Sequence, residues 1–220
     1  YICIFFFILI IYIIFCFNNQ ELFTNNNKKI VLITGATSGI GKSLINLFKS
    51  SKYKLIIHGR DCNKLKEIIN DNKNIDIETV CLDLSKKKNI YVLIQQMIVR
   101  HKKVDILINN FYDSSNPDDK EYQISTNLTN TLLLTNKLCE IMSDEGKIIN
   151  ISSGLSDSIE TNGNFIDAYS IIKSSIEKFT KIMASKLYDG KVGITCLKIN
   201  DSYKSNLTDK HLNKDILLKN

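Results

Sequence analysis

Residues Ile30–Ser43 read IVLITGATSGIGKS and join an apolar run to a glycine-rich turn and then to the start of a helix. Gly35, Gly39 and Gly41 lie in this turn. Glycine has no Cβ, so the backbone of such a turn approaches a ligand closely, and the unpaired N–H groups of the following helical turn favour an anion. The stretch therefore predicts a strand, a phosphate-binding turn and a helix.

Two nucleotide chemistries are compatible with this turn. Residues Ala36–Ser43 approximate the P-loop of NTPases, with Lys42 and Ser43 at the lysine and magnesium-ligand places, although the strict motif has a glycine where this chain has Ala36. Residues Thr34–Gly41, TGATSGIG, instead fit a variant of the dinucleotide-binding turn. The rest of the chain has to decide between an NTPase and a dinucleotide-binding protein.

Apolar stretches of strand length alternate with amphipathic stretches, an order typical of parallel α/β sheets. After the first strand, further strands are predicted at Lys54–His58, Ile77–Leu82, Val104–Ile108, Lys147–Ile151 and Lys191–Leu197. Helices are predicted at Asp61–Asn70, Ser85–Arg100, Ile124–Ser143 and Phe165–Leu187. The fold class is therefore α/β, a doubly wound and mostly parallel Rossmann-like sheet preceded by one hydrophobic helix.

Arg60 follows the second predicted strand, at the place where dinucleotide folds meet the ribose of the adenosine. A carboxylate at this place accepts from a 2′-hydroxyl, whereas an arginine pairs with a 2′-phosphate. The chain has His58-Gly59-Arg60 and no acidic residue until Asp61. This order favours NADP(H) over NAD(H).

Tyr169 and Lys173 are four residues apart on a predicted helix and therefore share one of its faces. A neighbouring ammonium stabilises phenolate, so we expect Lys173 to lower the pKa of Tyr169 from its reference value of about 10. A tyrosine with a lowered pKa exchanges a proton with a substrate oxygen near neutral pH. Ser152 and Ser153 end the fifth predicted strand and bring hydroxyl groups to the same edge of the sheet.

Together, the TGATSGIG turn, the serine pair and the Tyr-x-x-x-Lys spacing resemble the short-chain dehydrogenase/reductase family over residues 28–207. The resemblance implies an enzyme that passes a hydride between the nicotinamide of NADP(H) and a small carbonyl or alcohol substrate. It implies that Tyr169 is the acid/base, that Ser153 binds the substrate oxygen, and that Asn127 completes a proton relay. Lys173 would bind the nicotinamide ribose and tune Tyr169.

The resemblance also implies a set of cofactor-binding residues in the glycine turn and along the same edge of the sheet. They are Gly35, Thr37, Ser38, Gly39, Ile40, Gly41, Arg60, Asp83, Asn109, Tyr169 and Lys173. Asp83 keeps two interpretations, because it either contacts the adenine amino group or caps the helix that follows it.

Two stretches depart from the family pattern. Asn109-Asn110-Phe111-Tyr112 matches the family's Asn-Asn-Ala-Gly turn in its first half only, and two aromatic rings replace residues that leave room for the cofactor. Asn200 and Asp201 replace the family's Pro-Gly turn. These departures favour an alternative, a catalytically impaired NADP-binding or interaction module on the same fold. The chain also ends before the family's seventh strand, so the domain over residues 28–220 is expected to be incomplete at its C-terminal end.

Composition excludes several other classes of function. The net charge of +6 comes from lysines scattered along the chain, and no arginine-rich patch indicates nucleic-acid binding. The three histidines and six cysteines show no metal-ligand spacing and no Cys-x-x-Cys pair, so no metal site is predicted. Free thiols in a reducing compartment are expected.

Residues Tyr1–Phe17 are apolar throughout and span about 26 Å as a helix, near the thickness of a thin bilayer. A membrane anchor is favoured over a signal peptide, since no small-residue cleavage site follows. Residues 18–27 are expected to form a polar linker. Lys28 and Lys29 favour a cytosolic catalytic domain on a membrane such as the endoplasmic reticulum. This location favours a lipophilic substrate, and an oligomer is compatible with the sequence.

Overall fold

A computed structural model describes residues 28–157, 164–187, 190 and 192–199, with the backbone alone for residues 164–166. Its sheet has six strands in the order β3-β2-β1-β4-β5-β6, and every neighbouring pair is parallel. The strands are β1 Lys29–Ile33, β2 Tyr53–Gly59, β3 Ile77–Cys81, β4 Val104–Asn109, β5 Met142–Ser153 and β6 Gly193–Ile199. The predicted parallel α/β sheet is confirmed.

Helices connect these strands as the alternation predicted. They are α1 Gly39–Ile45, α2 Cys62–Asp71, α3 Lys87–Gln96, α4 Lys120–Ile124, α5 Asn130–Cys139 and α6 Asn164–Lys186. A π-helical segment, Met97–His101, extends α3, and a second one, Ser125–Thr129, joins α4 to α5. The predicted end of the fourth helix at Ser143 is wrong, because Met142 already pairs with Val104 as the first residue of β5.

Alternate residues of β1 enter opposite faces of the sheet. Val31 and Ile33 belong to the core beneath α1 and α2, whereas Ile30 and Leu32 belong to the core beneath α3 and α5. Burial on both faces requires the nearly continuous apolar run that the sequence shows. The strand order reverses between β1 and β4, and ligands of open α/β sheets bind outside the carboxyl ends of the strands at such a point.

A disulfide joins Cys62, the first residue of α2, to Cys81, the last residue of β3. The expectation of free thiols is therefore wrong for these two residues, while Cys139 and Cys196 are free. The two half-cystines are 19 residues apart in sequence, but the parallel pairing of Gly59 with Cys81 brings them together at the carboxyl edge. Sequence spacing did not reveal this proximity. The bond ties the start of α2, two residues after Arg60, to the end of β3.

Among the residues that the structure describes, no helix is long and apolar enough to cross a membrane. The predicted anchor, residues 1–17, and the predicted linker, residues 18–27, lie outside that set. So do Asn200 and Asp201, which replace the Pro-Gly turn of the family.

Candidate active site

The glycine turn between β1 and α1 has the backbone geometry that its sequence predicts. Gly35 and Gly39 have φ angles of 66° and 50°, in the left-handed region that favours glycine. A Cβ on Gly41 would overlap the carbonyl oxygen of Gly35, so this position accepts no side chain. The turn is a cradle of bare backbone at the N-terminus of α1.

The side chain of His58 stabilises this turn through a hydrogen bond to its backbone, a role that the sequence did not suggest. Its side chain is buried, its Nδ1 accepts from the Gly35 N–H at 3.2 Å, and its Nε2 donates to the Leu82 carbonyl at 2.9 Å. Burial lowers the pKa of His58 from 6.5 to about 4, partly opposed by the Leu82 carbonyl and the Asp83 charge. The imidazole is therefore neutral at physiological pH, which its role as acceptor for Gly35 requires.

The remaining residues of the turn either pack against the core or lie at the candidate cofactor groove. We use this name for the space outside the carboxyl ends of β1 and β4, where the strand order reverses. Ile40 packs against the core beneath α1, and Thr37 lies against Gly59, where a Cβ would overlap its Cγ2. Ser38 is exposed at the N-cap of α1 and makes no side-chain cap hydrogen bond. Ser43, a magnesium ligand in the NTPase interpretation, donates instead to the Gly39 carbonyl at 3.3 Å.

Arg60 leaves the carboxyl end of β2 and reaches across the groove. Its Nη1 lies 3.0 Å from Oδ1 of Asp113, which follows β4. Because β1 lies between β2 and β4, this ion pair spans the groove above the glycine turn. Asp113 was not among the predicted site residues.

Asp83 follows β3 and makes its hydrogen bonds within the turn that precedes α3. Its Oδ1 accepts from the backbone N–H of Ser85 at 3.1 Å and from the Ser85 hydroxyl at 2.7 Å. Its Oδ2 lies 3.7 Å from the ammonium of Lys86. Because α3 begins at Lys87 with Lys86 at its N-cap and no side-chain cap bond, the interpretation of Asp83 as the cap of this helix is wrong. Asp83 instead closes the turn before the helix, and adenine recognition stays a prediction.

Tyr169, Lys173 and Ser153 converge at the carboxyl end of β5, as the sequence predicts. The hydroxyl of Ser153 is hydrogen-bonded to the Tyr169 phenol. The Lys173 Nζ lies 5.5 Å from the centre of the Tyr169 ring and donates to the Ile151 carbonyl at 2.9 Å. A hydroxyl, a phenol and an ammonium are thus gathered at one end of the sheet.

The pKa values of this group follow burial more than charge. Burial raises the pKa of Tyr169, an effect only partly opposed by the hydrogen bond to Ser153. The expectation that Lys173 lowers this pKa is wrong here, because its ammonium is turned to a backbone carbonyl and lies beside the ring. Burial also lowers the pKa of Lys173 from 10.5 to about 8. Its pKa thus falls near physiological pH.

The turn after β4, residues Asn110–Ser115, covers this group. The Tyr112 ring lies edge-on to the Tyr169 ring, with centres 5.0 Å apart, and 5.4 Å from the Lys173 Nζ. Its hydroxyl donates to Oε1 of Gln123 at 3.1 Å. Phe111 packs on the core beneath α3, and its Cα would lie 2.9 Å from a Cβ on Gly35. The aromatic pair thus fills space beside both the lysine and the glycine turn.

Asn127 holds this turn in place. Its Oδ1 accepts from the Asp113 N–H at 2.6 Å, and its Nδ2 donates to the Asp113 carbonyl at 2.9 Å and to Gln123 Oε1 at 2.8 Å. The π-helical segment Ser125–Thr129 positions this buried side chain. Its proton-relay role stays a prediction.

The sequence contains a pattern that would have indicated Asp113. An aspartate followed two residues later by a serine, here Ser115, is typical of an Asx turn.

Asn109, another predicted cofactor-binding residue, is buried. Its Nδ2 donates to Thr135 Oγ1 at 2.7 Å and to Asn150 Oδ1 at 2.8 Å, and Asn150 in turn donates to Thr180 Oγ1 at 2.8 Å. Its Oδ1 is buried without a hydrogen-bond partner in the described part of the chain. The side chain ties β4 to β5, α5 and α6.

The first serine of the pair faces away from the phenol. Ser152 donates to Glu177 Oε1 at 2.6 Å, and Ser156 donates to the same oxygen at 2.5 Å. Ser153 is therefore the serine that contacts Tyr169, as the family resemblance implied. Over the described ranges no group of three or more histidine, cysteine or acidic side chains could hold a metal ion.

A model of the short chain dehydrogenase family matches residues 29–209. An NADP-dependent 3-hydroxy acid dehydrogenase of Schizosaccharomyces pombe is 28% identical over 178 residues, which are 74% of this chain and 68% of that protein. A 3-oxoacyl acyl-carrier-protein reductase of Chlamydia pneumoniae is 26% identical over 181 residues, which are 76% of this chain and 71% of that protein.

Solved structures show the same fold. The Pseudomonas aeruginosa RhlG/NADP active-site complex aligns with a TM-score of 0.73 at 20% identity and covers 86% of this chain and 78% of that chain. A metagenomic short-chain oxidoreductase in complex with NADP aligns with a TM-score of 0.68 at 22% identity, covering 77% of this chain and 81% of that chain.

Proposed function

The chain belongs to the short-chain dehydrogenase family, and from this membership and the site geometry we propose that it is an NADP(H)-dependent oxidoreductase acting on a carbonyl or alcohol. The observation that carries the proposal is the convergence of Ser153, Tyr169 and Lys173 beside the groove of the glycine turn. Bound NADP(H) would supply or accept the hydride. The protein groups hold the substrate oxygen and move its proton.

The glycine turn fits the diphosphate of a dinucleotide. Gly35 and Gly39 hold the backbone in conformations that favour glycine, and the space next to Gly41 admits no Cβ. Arg60 would hold the 2′-phosphate, since its side chain is 57% exposed and its guanidinium presents donors beyond the one used by Asp113. The related 3-hydroxy acid dehydrogenase of Schizosaccharomyces pombe is named NADP-dependent, in agreement with this assignment.

Ser153 and Tyr169 act on the substrate oxygen. The Ser153 hydroxyl, already bonded to the phenol, orients a carbonyl oxygen so that Tyr169 donates its proton as the alcohol forms. The raised pKa of Tyr169 keeps the phenol protonated, which suits the direction of carbonyl reduction. Lys173 keeps its ammonium next to the ring and would bind ribose hydroxyls once Tyr112 no longer covers it.

A second candidate function follows from Tyr112. Lys173 is 5% exposed and lies under the Tyr112 ring, an arrangement that also suits a protein that binds NADP(H) without turning over a substrate. The two functions differ in whether bound NADPH is consumed.

The deciding experiment measures NADPH binding by calorimetry and NADPH oxidation with a panel of ketones, using the full chain and Tyr169→Phe. An oxidoreductase oxidises NADPH, and Tyr169→Phe lowers its rate by about 100-fold or more while binding persists. A binding module shows equal binding in both proteins and no oxidation in either. The absence of NADPH binding would reject both functions.

Attachment to a membrane through residues 1–17 is part of the proposal and is supported by their uninterrupted apolar composition. We propose the endoplasmic reticulum as this membrane, which would give the site access to lipophilic carbonyl substrates. Fractionation of cells that express the full chain and a variant lacking residues 1–17 tests this. The full chain is expected in the membrane pellet, and its recovery in the supernatant would contradict the proposal.

A further inference from the structure

The turn after β4 links the two ends of the candidate cofactor groove. At one end, Asp113 pairs with Arg60 at 3.0 Å across the glycine turn. At the other, the neighbouring residue Tyr112 covers Lys173 and contacts Tyr169. Two adjacent residues therefore touch the group proposed to hold the 2′-phosphate and the groups proposed to do the chemistry.

The two partners of the ion pair differ in burial, so that Arg60 can turn away while Asp113 stays in place. The Asp113 side chain is 2% exposed and also accepts from the Ser115 N–H, the Ser115 hydroxyl and the Tyr122 hydroxyl at 2.9, 2.7 and 2.9 Å. The Arg60 side chain is 57% exposed. If Arg60 turned to another anion, Asp113 would keep three hydrogen bonds, so the exchange leaves no bare buried charge.

Release of Arg60 loosens the attachment of the turn to β2. The remaining contacts of the Asp113 carboxylate lie within the turn or on α4, which follows it, so Arg60 is the partner that links this carboxylate to the end of β2. Elsewhere the turn is held by Asn127, by the bonds of Asn110 to Thr34 and Gly35, and by the contact of Phe111 with His58. While the turn is fastened, the Tyr112 ring blocks the approach of a ligand hydroxyl to the Lys173 ammonium. A change of the Arg60 partner would therefore act first on Asp113, the residue next to Tyr112, whose own hydroxyl is held by Gln123.

We propose that Asp113 is a specificity-determining residue that competes with a 2′-phosphate for Arg60, so that a 2′-phosphorylated dinucleotide releases the turn and uncovers Lys173. The inference rests on the proposed NADP(H) site. NAD(H) carries a hydroxyl at the same place, cannot displace the carboxylate, and leaves the turn fastened. The protein would then distinguish NADP(H) from NAD(H) in two ways. Arg60 binds the 2′-phosphate, and only the 2′-phosphorylated dinucleotide uncovers Lys173.

The test uses adenosine fragments that lack the nicotinamide, so that no reaction is involved. In the full chain, saturating 2′,5′-ADP is expected to raise hydrogen exchange at the amides of residues 112–115, and 5′-ADP at the same occupancy is expected to leave it unchanged. Asp113→Asn, which keeps the side-chain shape, should bind 2′,5′-ADP about 3- to 10-fold more tightly and 5′-ADP equally.

The second arginine of the chain provides a matched control. Arg100 lies 3.1 Å from Glu78, is also 57% exposed, and is far from the groove at the C-terminal end of the segment that extends α3. Without ligand, Arg60→Ala is expected to raise exchange at residues 112–115, and Arg100→Ala is not. Glu78→Gln is expected to leave both fragment affinities unchanged, in contrast to Asp113→Asn.

The outcomes separate this inference from the proposed function. If 2′,5′-ADP does not bind the full chain at all, the NADP(H) assignment fails and the competition fails with it. If 2′,5′-ADP binds but neither the ligand nor Arg60→Ala changes exchange at residues 112–115, the competition is wrong and the NADP(H) site stands. Since Arg60 is exposed, its alanine variant keeps this test valid even if Asp113→Asn fails to fold.

Discussion

The two turns that meet at the carboxyl ends of β1 and β4, where Asn110 is hydrogen-bonded to Thr34 and Gly35, are built by opposite means. The glycine turn, Thr34–Gly41, owes its shape to backbone geometry, with Gly35 and Gly41 at positions where a Cβ would overlap neighbouring backbone atoms. The turn Asn110–Ser115 is held by side-chain hydrogen bonds to Asn127, Gln123 and Tyr122, and it fills space with two aromatic rings. The first turn is therefore fixed by its backbone, whereas the second is fixed by side chains and places Tyr112 over Lys173.

Each turn also has a buried base beside it. His58 accepts from the glycine turn, and burial lowers its pKa to about 4, so it is neutral near pH 7. Lys173 lies under Tyr112, and burial lowers its pKa to about 8, so it is mostly charged near pH 7. The base beside the first turn stabilises it, and the base beside the second carries a desolvation cost that we attribute to function.

The most damaging change to the first turn is Gly41→Ala. Its Cβ would overlap the carbonyl oxygen of Gly35, which is backbone and cannot rotate away, so we expect a loss of about 4 kcal/mol or more of unfolding free energy. Urea denaturation measures it. Gly193→Ala is the control, since its Cβ would approach only the flexible end of Lys147 at 3.3 Å. Equal denaturation midpoints for the two variants would contradict the expectation.

The corresponding change to the second turn is Asn127→Ala. It removes three hydrogen bonds from a side chain that is 1% exposed and leaves the Asp113 N–H and carbonyl unpaired, so we expect a loss of about 3 kcal/mol. Ser125→Ala, an exposed change on the same π-helical segment, should cost less than about 0.5 kcal/mol. A loss below 1 kcal/mol for Asn127→Ala would mean that the turn is held by other contacts.

The contrast between the turns also explains what could be predicted from the sequence. The glycine turn, the parallel sheet and the Tyr169–Lys173 pair follow from local rules, because glycine spacing, apolar runs and helical periodicity act over a few residues. The helix predicted at Asp61–Asn70 is confirmed as α2, and the Asp61 carboxylate caps it by accepting from the N–H groups of Asn63 and Lys64.

The contacts that were missed are long-range. Arg60 and Asp113 are 53 residues apart, and the two half-cystines Cys62 and Cys81 are 19 apart, so neither pair follows from spacing alone. The pKa of Tyr169 was misjudged because burial, which the sequence does not give, outweighs the charge of a lysine directed elsewhere. Sequence indicated the aromatic crowding at Phe111 and Tyr112, but not which groups the rings would cover.

Acid should weaken the first turn through His58. The pKa of His58 is 6.5 when unfolded and about 4 when folded, so the unfolded chain binds the extra proton, and about 2 kcal/mol of stability is lost between pH 7 and pH 5. His58→Gln keeps a donor for the Leu82 carbonyl and does not titrate. Denaturation at both pH values should show that this part of the pH dependence disappears in the variant. An unchanged slope would mean that other groups cause it.

The smallest expected effect is a gain in stability on removing the base of the second turn. Lys173→Met replaces a desolvated ammonium with an apolar side chain of similar length, at the cost of the hydrogen bond to the Ile151 carbonyl. We expect the variant to be about 1–2 kcal/mol more stable than the original chain at pH 7, and to oxidise no NADPH.

The pH dependence shows whether desolvation is the cause. Between pH 8 and pH 10.5 the unfolded Lys173 holds a proton that the folded one has released, so the original chain gains stability relative to Lys173→Met as the pH rises through this window. Below pH 8 both states are protonated and the difference is constant. If the two proteins keep the same difference from pH 7 to pH 10, the lysine is not desolvated and Tyr112 does not cover it as described. A narrowing difference would support the view that the second turn stores a cost which ligand binding relieves.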